Sequence, residues 1–114
     1  MNTHEIANRL VELCRKGDFV EAEIELYDAN IIHIEIDNQE FKGFNDVLLK
    51  EEQFLAKLKT KPLIEVSDPI VAGKYFTIRM FMQCEHEERG AFTIEEIIIY
   101  KVNNGKIVYL RCYA

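Results

Sequence analysis

Residues 91–113, AFTIEEIIIYKVNNGKIVYLRCY, contain two strand-like segments joined by a tight turn. β-Branched and aromatic residues dominate both segments, which is typical of strands. Asn104 and Gly105 lie between them and favour a two-residue turn, since both residue types accept the positive φ angles of type I′. The stretch therefore predicts a β-hairpin.

Three more strand segments precede this hairpin. Residues 30–36, NIIHIEI, are rich in β-branched residues, and residues 74–86, KYFTIRMFMQCEH, form a long alternating segment. Residues 63–72, LIEVSDPIVA, also predict a strand, but Pro69 favours an edge position or a bulge there. Gly73 and Gly90 mark the turns, so four antiparallel strands follow one another from Pro62 onward.

Helical periodicity is confined to the first 60 residues. Ile6, Leu10, Leu13 and Cys14 recur at spacings of three and four, which predicts an amphipathic first helix. A short second helix is predicted from Phe19 to near Asp28, and a third from residue 44 to residue 59. The order helix, helix, strand, helix and then four strands predicts an α+β fold in a single domain, residues 1–114.

The composition limits the function classes. The chain has 114 residues and a formal net charge of −6, from 20 acidic and 14 basic residues. Nucleic acids and anionic membranes need a basic surface, so we expect neither as a partner. No segment reaches membrane-spanning length, the first ten residues do not resemble a signal peptide, and three scattered cysteines do not suggest a disulfide framework. These features predict a cytoplasmic protein.

Strand alternation places one carboxylate on an apolar face. In segment 74–86, Phe76, Ile78, Met80 and Met82 share a face that we expect to meet the helices. The corresponding face of the next strand contains Glu96 among apolar residues. Burial there predicts a raised pKa for this carboxyl, unless a partner or a bulge relieves it.

The opposite face of the strands is also partly apolar, which predicts a homodimer. A monomer would expose a sizeable patch there, and a second copy is the simplest cover for it. Ile107 is predicted to lie on this outer face too. The residues predicted to form the interface are Arg79, Phe81, Ile97, Ile99, Tyr109 and Tyr113.

The order of elements resembles the nuclear transport factor 2-like superfamily, and within it the SnoaL-like polyketide cyclases and the ketosteroid isomerases. The resemblance rests on Gly17-Asp18 between the first two helices, on residues 27–30, YDAN, before the first strand, and on residues 104–108, NGKIV, in the last hairpin. It covers nearly the whole chain, and its motifs are turns and caps.

This resemblance implies a curved antiparallel sheet wrapped around three helices, forming a cone with an apolar pocket, and dimerisation through the sheet. Ketosteroid isomerases use a tyrosine, an aspartate base and a protonated aspartate. Leu10, His33 and Ile98 stand at these positions when the motifs are aligned, and a one-residue shift places Ile34 at the base position. The isomerase set is therefore absent. The predicted pocket wall comprises Leu10, Cys14, Glu35, Phe54, Leu58, Met80, Met82, Cys84, Ile98, Tyr100, Leu110 and Cys112.

Glu96 and His33 are the predicted catalytic pair. A carboxyl with a raised pKa and an imidazole can exchange protons with a carbonyl compound near neutral pH. The structural alternatives are a Glu96 side chain held by Tyr100, Arg111 or a helix end, and a His33 side chain satisfied by a neighbour. Glu35 shares the parity of His33 and lies at the pocket mouth or at a solvated strand end.

The sequence does not indicate a cofactor or a metal. Glycine-rich phosphate loops are absent, and His86 with Cys84 is too small a set for a metal. We expect a small apolar ligand and cofactor-free proton transfer of the isomerase, cyclase or hydratase type. Two alternatives remain open, namely a module that binds the ligand without chemistry and a domain whose role is dimerisation.

Overall fold

The computed structural model describes all residues, 1–114, as three helices and one curved, unclosed sheet of seven strands. The helices are α1 (Thr3–Arg15), α2 (Phe19–Leu26) and α3 (Phe44–Ala56). The strands are β1 (Tyr27–Ile34), β2 (Glu40–Lys42), β3 (Leu63–Val66), β4 (Ile70–Ala72), β5 (Tyr75–His86), β6 (Gly90–Asn103) and β7 (Lys106–Tyr113).

The helices begin where the sequence places their caps. Asn2 accepts a hydrogen bond from the backbone N–H of Glu5, and the Glu5 side chain accepts one from the backbone N–H of Asn2. This reciprocal capping box satisfies two backbone donors at the start of α1. Helix α3 ends at Ala56, three residues earlier than predicted, and Leu58 instead forms an isolated bridge with His86.

The sheet is mixed, which corrects the prediction of an antiparallel sheet. Its strand order is β2-β1-β7-β6-β5-β3, with β4 also paired to β5. The β1–β7 pair is parallel and the other pairs are antiparallel. Parallel neighbours require a crossover, and here residues 35–105 form the connection between the two strands.

Two segments differ in detail from the sequence analysis. Residues 40–42, in the polar stretch before the third helix that was not predicted as a strand, form the edge strand β2. Residues 63–72, predicted as one strand with an edge position or a bulge at Pro69, form the two strands β3 and β4 on either side of this residue, which cannot donate a ladder hydrogen bond. Ile107 is fully buried instead of exposed on the outer face, because the β6–β7 register shifts between Lys101 and Val102 and reverses the alternation.

The helices cover the inner face of the sheet and bury one hydrophobic cluster. Phe76, Ile78, Met80, Met82 and Cys84 are all at most 5% exposed on the inner face of β5, as their alternation predicts. Phe76 stacks on Tyr100 with ring centroids 4.6 Å apart. None of the three helices is long and apolar enough to cross a membrane.

The outer face carries the residues predicted to form a dimer interface. Ile97 pairs with Arg79 on one side and with Tyr113 on the other, so the three lie next to one another on β5, β6 and β7. Arg79, Ile97, Ile99 and Tyr113 are exposed, whereas Phe81 and Tyr109 are half-buried.

Candidate functional site

A cavity of about 340 Å³ lies between the helices and the inner face of the sheet. Of its 21 lining residues, 14 are hydrophobic, so its wall is mainly apolar. Both predicted catalytic residues, Glu96 and His33, line it. The predicted wall residues that also line it are Leu10, Cys14, Glu35, Phe54, Met80, Met82, Ile98, Tyr100, Leu110 and Cys112.

Leu58 and Cys84 were predicted to line the pocket and do not. The early end of α3 removes Leu58 from the helical stripe, and it pairs with His86. Cys84 lies opposite Phe92 on β6, and Phe92 packs with Phe54 and His86 in an aromatic cluster at this part of β5.

Glu96 faces the cavity without a hydrogen bond or an ion pair to any protein group. Burial raises the pKa of its carboxyl to about 7, and the negative charge of Glu35 adds to the effect while Lys50 opposes it. A carboxyl with this pKa is divided between its acid and base forms at neutral pH. Glu96 is therefore equipped to take up or release a proton.

His33 belongs to a polar network at the side of the cavity. Its Nε2 atom lies 2.8 Å from Oε1 of Glu35 and 3.6 Å from Sγ of Cys112. Lys50 of α3 also forms an ion pair with Glu35. Burial alone would raise the pKa of Glu35, but the contacts with His33 and Lys50 outweigh it and lower that pKa to about 2. Glu35 is thus ionised, and His33 is held by a neighbour as the structural alternative expects.

Three of the cavity's ligand-type atoms converge in this network. The side-chain ligand atoms of His33, Glu35 and Cys112 all lie within 4.8 Å of one another. The sequence analysis did not predict a metal site, because the chain contains no short motif of closely spaced metal ligands. The set forms only because β1 and β7, distant in sequence, pair side by side.

The helices add two carboxyls that were not predicted as site residues. Glu23 of α2 is only 6% exposed, and its Oε1 atom is buried without a hydrogen-bond partner. Burial, followed by the charge of Glu51, raises the pKa of Glu23 to about 9. Burial also raises the pKa of Glu51 on α3. Both residues interrupt the apolar stripe of a helix, and this signal could have identified them from the sequence.

Two tyrosine hydroxyls complete one end of the cavity. Tyr27 and Tyr100 are at most 8% exposed, and neither hydroxyl hydrogen-bonds a protein group. Burial raises both pKa values well above the usual one, with Tyr100 and Glu23 adding to the effect at Tyr27. Burial also raises the pKa of the nearby Cys14 thiol to about 12. This end therefore holds protonated donors rather than anions.

The family model of the SnoaL-like domain matches residues 1–113 of the chain. A structural neighbour from Mesorhizobium loti, described as a candidate SnoaL-like polyketide cyclase, is 25% identical, with a TM-score of 0.89 and full coverage of both chains. No curated protein matches the chain.

Two further structures agree in fold at lower identity. A Xanthomonas campestris protein of unknown function with a cystatin-like fold is 16% identical, with a TM-score of 0.81 over 99% of this chain and 90% of that one. A Catenulispora acidiphila protein with a ketosteroid isomerase-like fold is 12% identical, with a TM-score of 0.75 over 96% and 85%. The family match, which spans almost every residue, shows that the chain belongs to the SnoaL-like domain family.

Proposed function

We propose that this protein binds a small, mainly apolar carbonyl compound in the cavity and transfers a proton on it without a cofactor. The observation that carries the proposal is the Glu96 carboxyl, which faces the cavity free of protein partners and has a pKa of about 7. A general base is most effective when its pKa is close to the working pH. Glu96 is the group assigned this role.

The donor end of the cavity supports a carbonyl ligand. Glu23, Tyr27 and Tyr100 keep their protons at neutral pH and lack protein acceptors for their O–H groups. A carbonyl oxygen accepts hydrogen bonds from such donors, and an enolate oxygen accepts stronger ones. The three residues are therefore assigned to the oxygen of the ligand.

The proposed reaction combines the Glu96 base with these oxygen donors. The Glu96 carboxylate takes a proton from the carbon next to the carbonyl, and the C–H electron pair moves into an enolate whose charge lies on the oxygen. Where the ligand has a carbon–carbon double bond next to the deprotonated carbon, the enolate is a dienolate, and return of the proton from Glu96 to its far carbon moves the double bond and isomerises the compound. Attack of the enolate carbon on a second carbonyl of the same molecule closes a ring, and Glu96 then returns the proton to the new alkoxide.

His33, the second predicted catalytic residue, lines the same cavity, but Glu35 and Cys112 share its Nε2 atom. Its remaining nitrogen, Nδ1, is buried without a partner. His33 therefore enters the proposal as a secondary proton carrier, and its substitution by alanine is expected to reduce turnover less than substitution of Glu96.

Deuterium exchange tests the proposal without knowledge of the natural substrate. A panel of cyclic enolisable ketones is incubated in D₂O with the protein, and loss of the α-proton signal is followed by NMR. We expect exchange to require an ionisation near pH 7 and to fall at least about 100-fold in Glu96→Gln. Glu95→Gln is the matched control, since this adjacent residue lies on the outer face and pairs with Arg79.

If Glu96→Gln and wild type exchange α-protons at equal rates, Glu96 is not the base of the reaction. Ligand binding in the cavity without exchange of any α-proton would favour the second candidate function, a non-catalytic binding module. The absence of the three ketosteroid isomerase residues, noted at Leu10, His33 and Ile98, is the observation that favours this alternative.

We also propose that the working unit is a homodimer formed through the outer face of the sheet, and that it acts in the cytoplasm. The exposed Ile97, Ile99 and Tyr113 support the first proposal. Cys14, Cys84 and Cys112 are all unpaired and buried, which suits a reducing compartment.

A further inference from the structure

The strongest unexplained feature is the convergence of His33, Glu35 and Cys112 on one point. The parallel pairing of β1 with β7 places His33 opposite Leu110 and Ile34 opposite Arg111, so the next residues in register are Glu35 and Cys112. The His33 Nε2 atom lies 2.8 Å from Glu35 Oε1 and 3.6 Å from Cys112 Sγ. One imidazole nitrogen thus faces both other side chains.

This spacing is close to that of a tetrahedral zinc centre. Zinc–sulfur bonds of about 2.3 Å and zinc–nitrogen bonds of about 2.0 Å place the two ligand atoms about 3.6 Å apart at a tetrahedral angle. The Nε2–Sγ distance is 3.6 Å. The nitrogen and oxygen ligands would need to separate by about half an ångström. Glu35 lies just beyond the last residue of β1, and we expect a rotation of its side chain to provide this change.

The chemistry and burial of the ligand set agree with such a centre. Imidazole, thiolate and carboxylate are the ligands that zinc takes in proteins. His33 and Cys112 are 8% and 4% exposed, so solvent does not compete freely at the site. All three residues line the cavity, which leaves a fourth coordination position on the cavity side.

We propose that His33, Glu35 and Cys112 form a binding site for a divalent transition metal of the zinc type. Binding displaces the Cys112 thiol proton to solvent and leaves the imidazole N–H on Nδ1, while Nε2 and the Glu35 carboxylate donate electron pairs to the metal. No oxidation or reduction takes place. The site does not depend on proton transfer by Glu96, because it is defined and measured without a substrate. A bound metal occupies Nε2 of His33, so the proton-carrier role proposed for His33 belongs to the metal-free protein.

Lys50 gives the proposal a distinctive signature. Its ammonium forms an ion pair with Glu35 and must give up Oε1, or move to Oε2, when a metal binds. The ammonium also repels a divalent cation. Replacing Lys50 by methionine, which keeps most of the side chain's length, should therefore strengthen metal binding. A purely structural His33–Glu35–Lys50 network predicts no such gain.

The test uses chelator-treated protein titrated with Zn²⁺ by calorimetry and with Cd²⁺ by ultraviolet absorption, where a cadmium–thiolate bond gives a charge-transfer band. We expect one Zn²⁺ per chain with a dissociation constant below about 10 µM. Cys112→Ser should abolish the cadmium band and weaken zinc binding at least about tenfold. Cys84→Ser changes another buried cysteine outside the cavity, and it should retain the cadmium band and the affinity for Zn²⁺. Lys50→Met should bind Zn²⁺ more tightly than wild type.

Circular dichroism of each variant establishes that it is folded before titration. Failure of the folded wild type to bind Zn²⁺ in this range would overturn the proposal, as would a cadmium band that survives Cys112→Ser. Weaker or unchanged binding in Lys50→Met would overturn the assignment of Glu35 as a ligand. Exchange of α-protons catalysed by a protein that fails these tests would leave the proposed function standing.

Discussion

Glu95 and Glu96 are consecutive residues of β6, and their carboxyl groups lie on opposite faces of the sheet. Glu95 forms an exposed ion pair with Arg79, with Oε2 2.8 Å from Nη2. Glu96 faces the cavity and has a raised pKa. Both residues are glutamates on the same strand, and they differ in the face of the sheet on which they lie. Comparing them therefore shows the effect of burial on the pKa of a carboxyl group.

Glu96→Gln should change the pH dependence of stability. Above pH 4.5 the unfolded chain ionises Glu96, whereas the folded carboxyl keeps its proton up to about pH 7. The folded state binds more protons in this window, so wild-type stability falls as pH rises through it. We expect Glu96→Gln to be about 2 kcal/mol more stable than wild type at pH 8 and close to it at pH 4. Urea unfolding measures both, and an unchanged difference between the two pH values contradicts the prediction.

Glu23→Gln should also raise the stability relative to wild type at high pH, and over a wider pH range than Glu96→Gln. The folded carboxyl keeps its proton up to about pH 9, so wild-type stability falls between pH 4.5 and pH 9. We expect the glutamine variant to gain about 2–3 kcal/mol at pH 8. Glu25→Gln is the control on the same helix, because Glu25 is exposed and ion-paired with Arg9, and its loss should lower stability slightly. Unfolding that is equally pH-dependent in Glu23→Gln and wild type would count against the buried acid.

Ile97→Arg should dissociate the proposed homodimer. Ile97 is 44% exposed at the centre of the outer face, between Arg79 and Tyr113, and an arginine there would place a second cation beside Arg79. Sedimentation at micromolar concentration should show a wild-type dimer and a variant monomer. Ile24→Arg, at a 58% exposed site on α2, should remain dimeric. A monomeric wild type rules the interface out.

Gly105→Ala should weaken the last hairpin. Gly105 has φ +75° and Asn104 has φ +49°, which matches the predicted turn with positive φ at both positions. Alanine in this region costs about 1–2 kcal/mol. Asn104→Gly is the control, because glycine adopts the same angles without strain. Thermal unfolding of the two variants tests the difference, and equal melting temperatures would contradict it.

Local patterns in the sequence predicted most elements of the fold. Alternation placed Met80 and Met82 on the inner face, and the Asn104-Gly105 turn joined the correct strands. The patterns did not predict that β7 pairs in parallel with β1, because that contact joins residues 77 to 80 positions apart and does not change the alternation within either segment. The buried Ile107 was missed for a related reason, since a register shift cancels the alternation locally.

The candidate site was predicted in part by the same logic. Glu96 was recognised because it interrupts an apolar strand face, and Glu23 and Glu51 interrupt helical faces in the same way. The ion pair of Lys50 with Glu35 and the approach of Cys112 to His33 depend on how elements pack together. Such contacts lie outside what periodicity in one segment can indicate.

Strand β7 is made last among the strands but lies in the middle of the sheet, between β1 and β6. During synthesis, therefore, β1 with β2 and β3 to β6 are two separate sheets until β7 joins them. Each sheet then has an open edge that can pair with another chain. The cavity, whose wall includes Leu110 and Cys112, can form only after the final strand is in place. The sheet is thus expected to close only once β7 has been synthesised, and the open edges favour aggregation in the stage before β7 joins them.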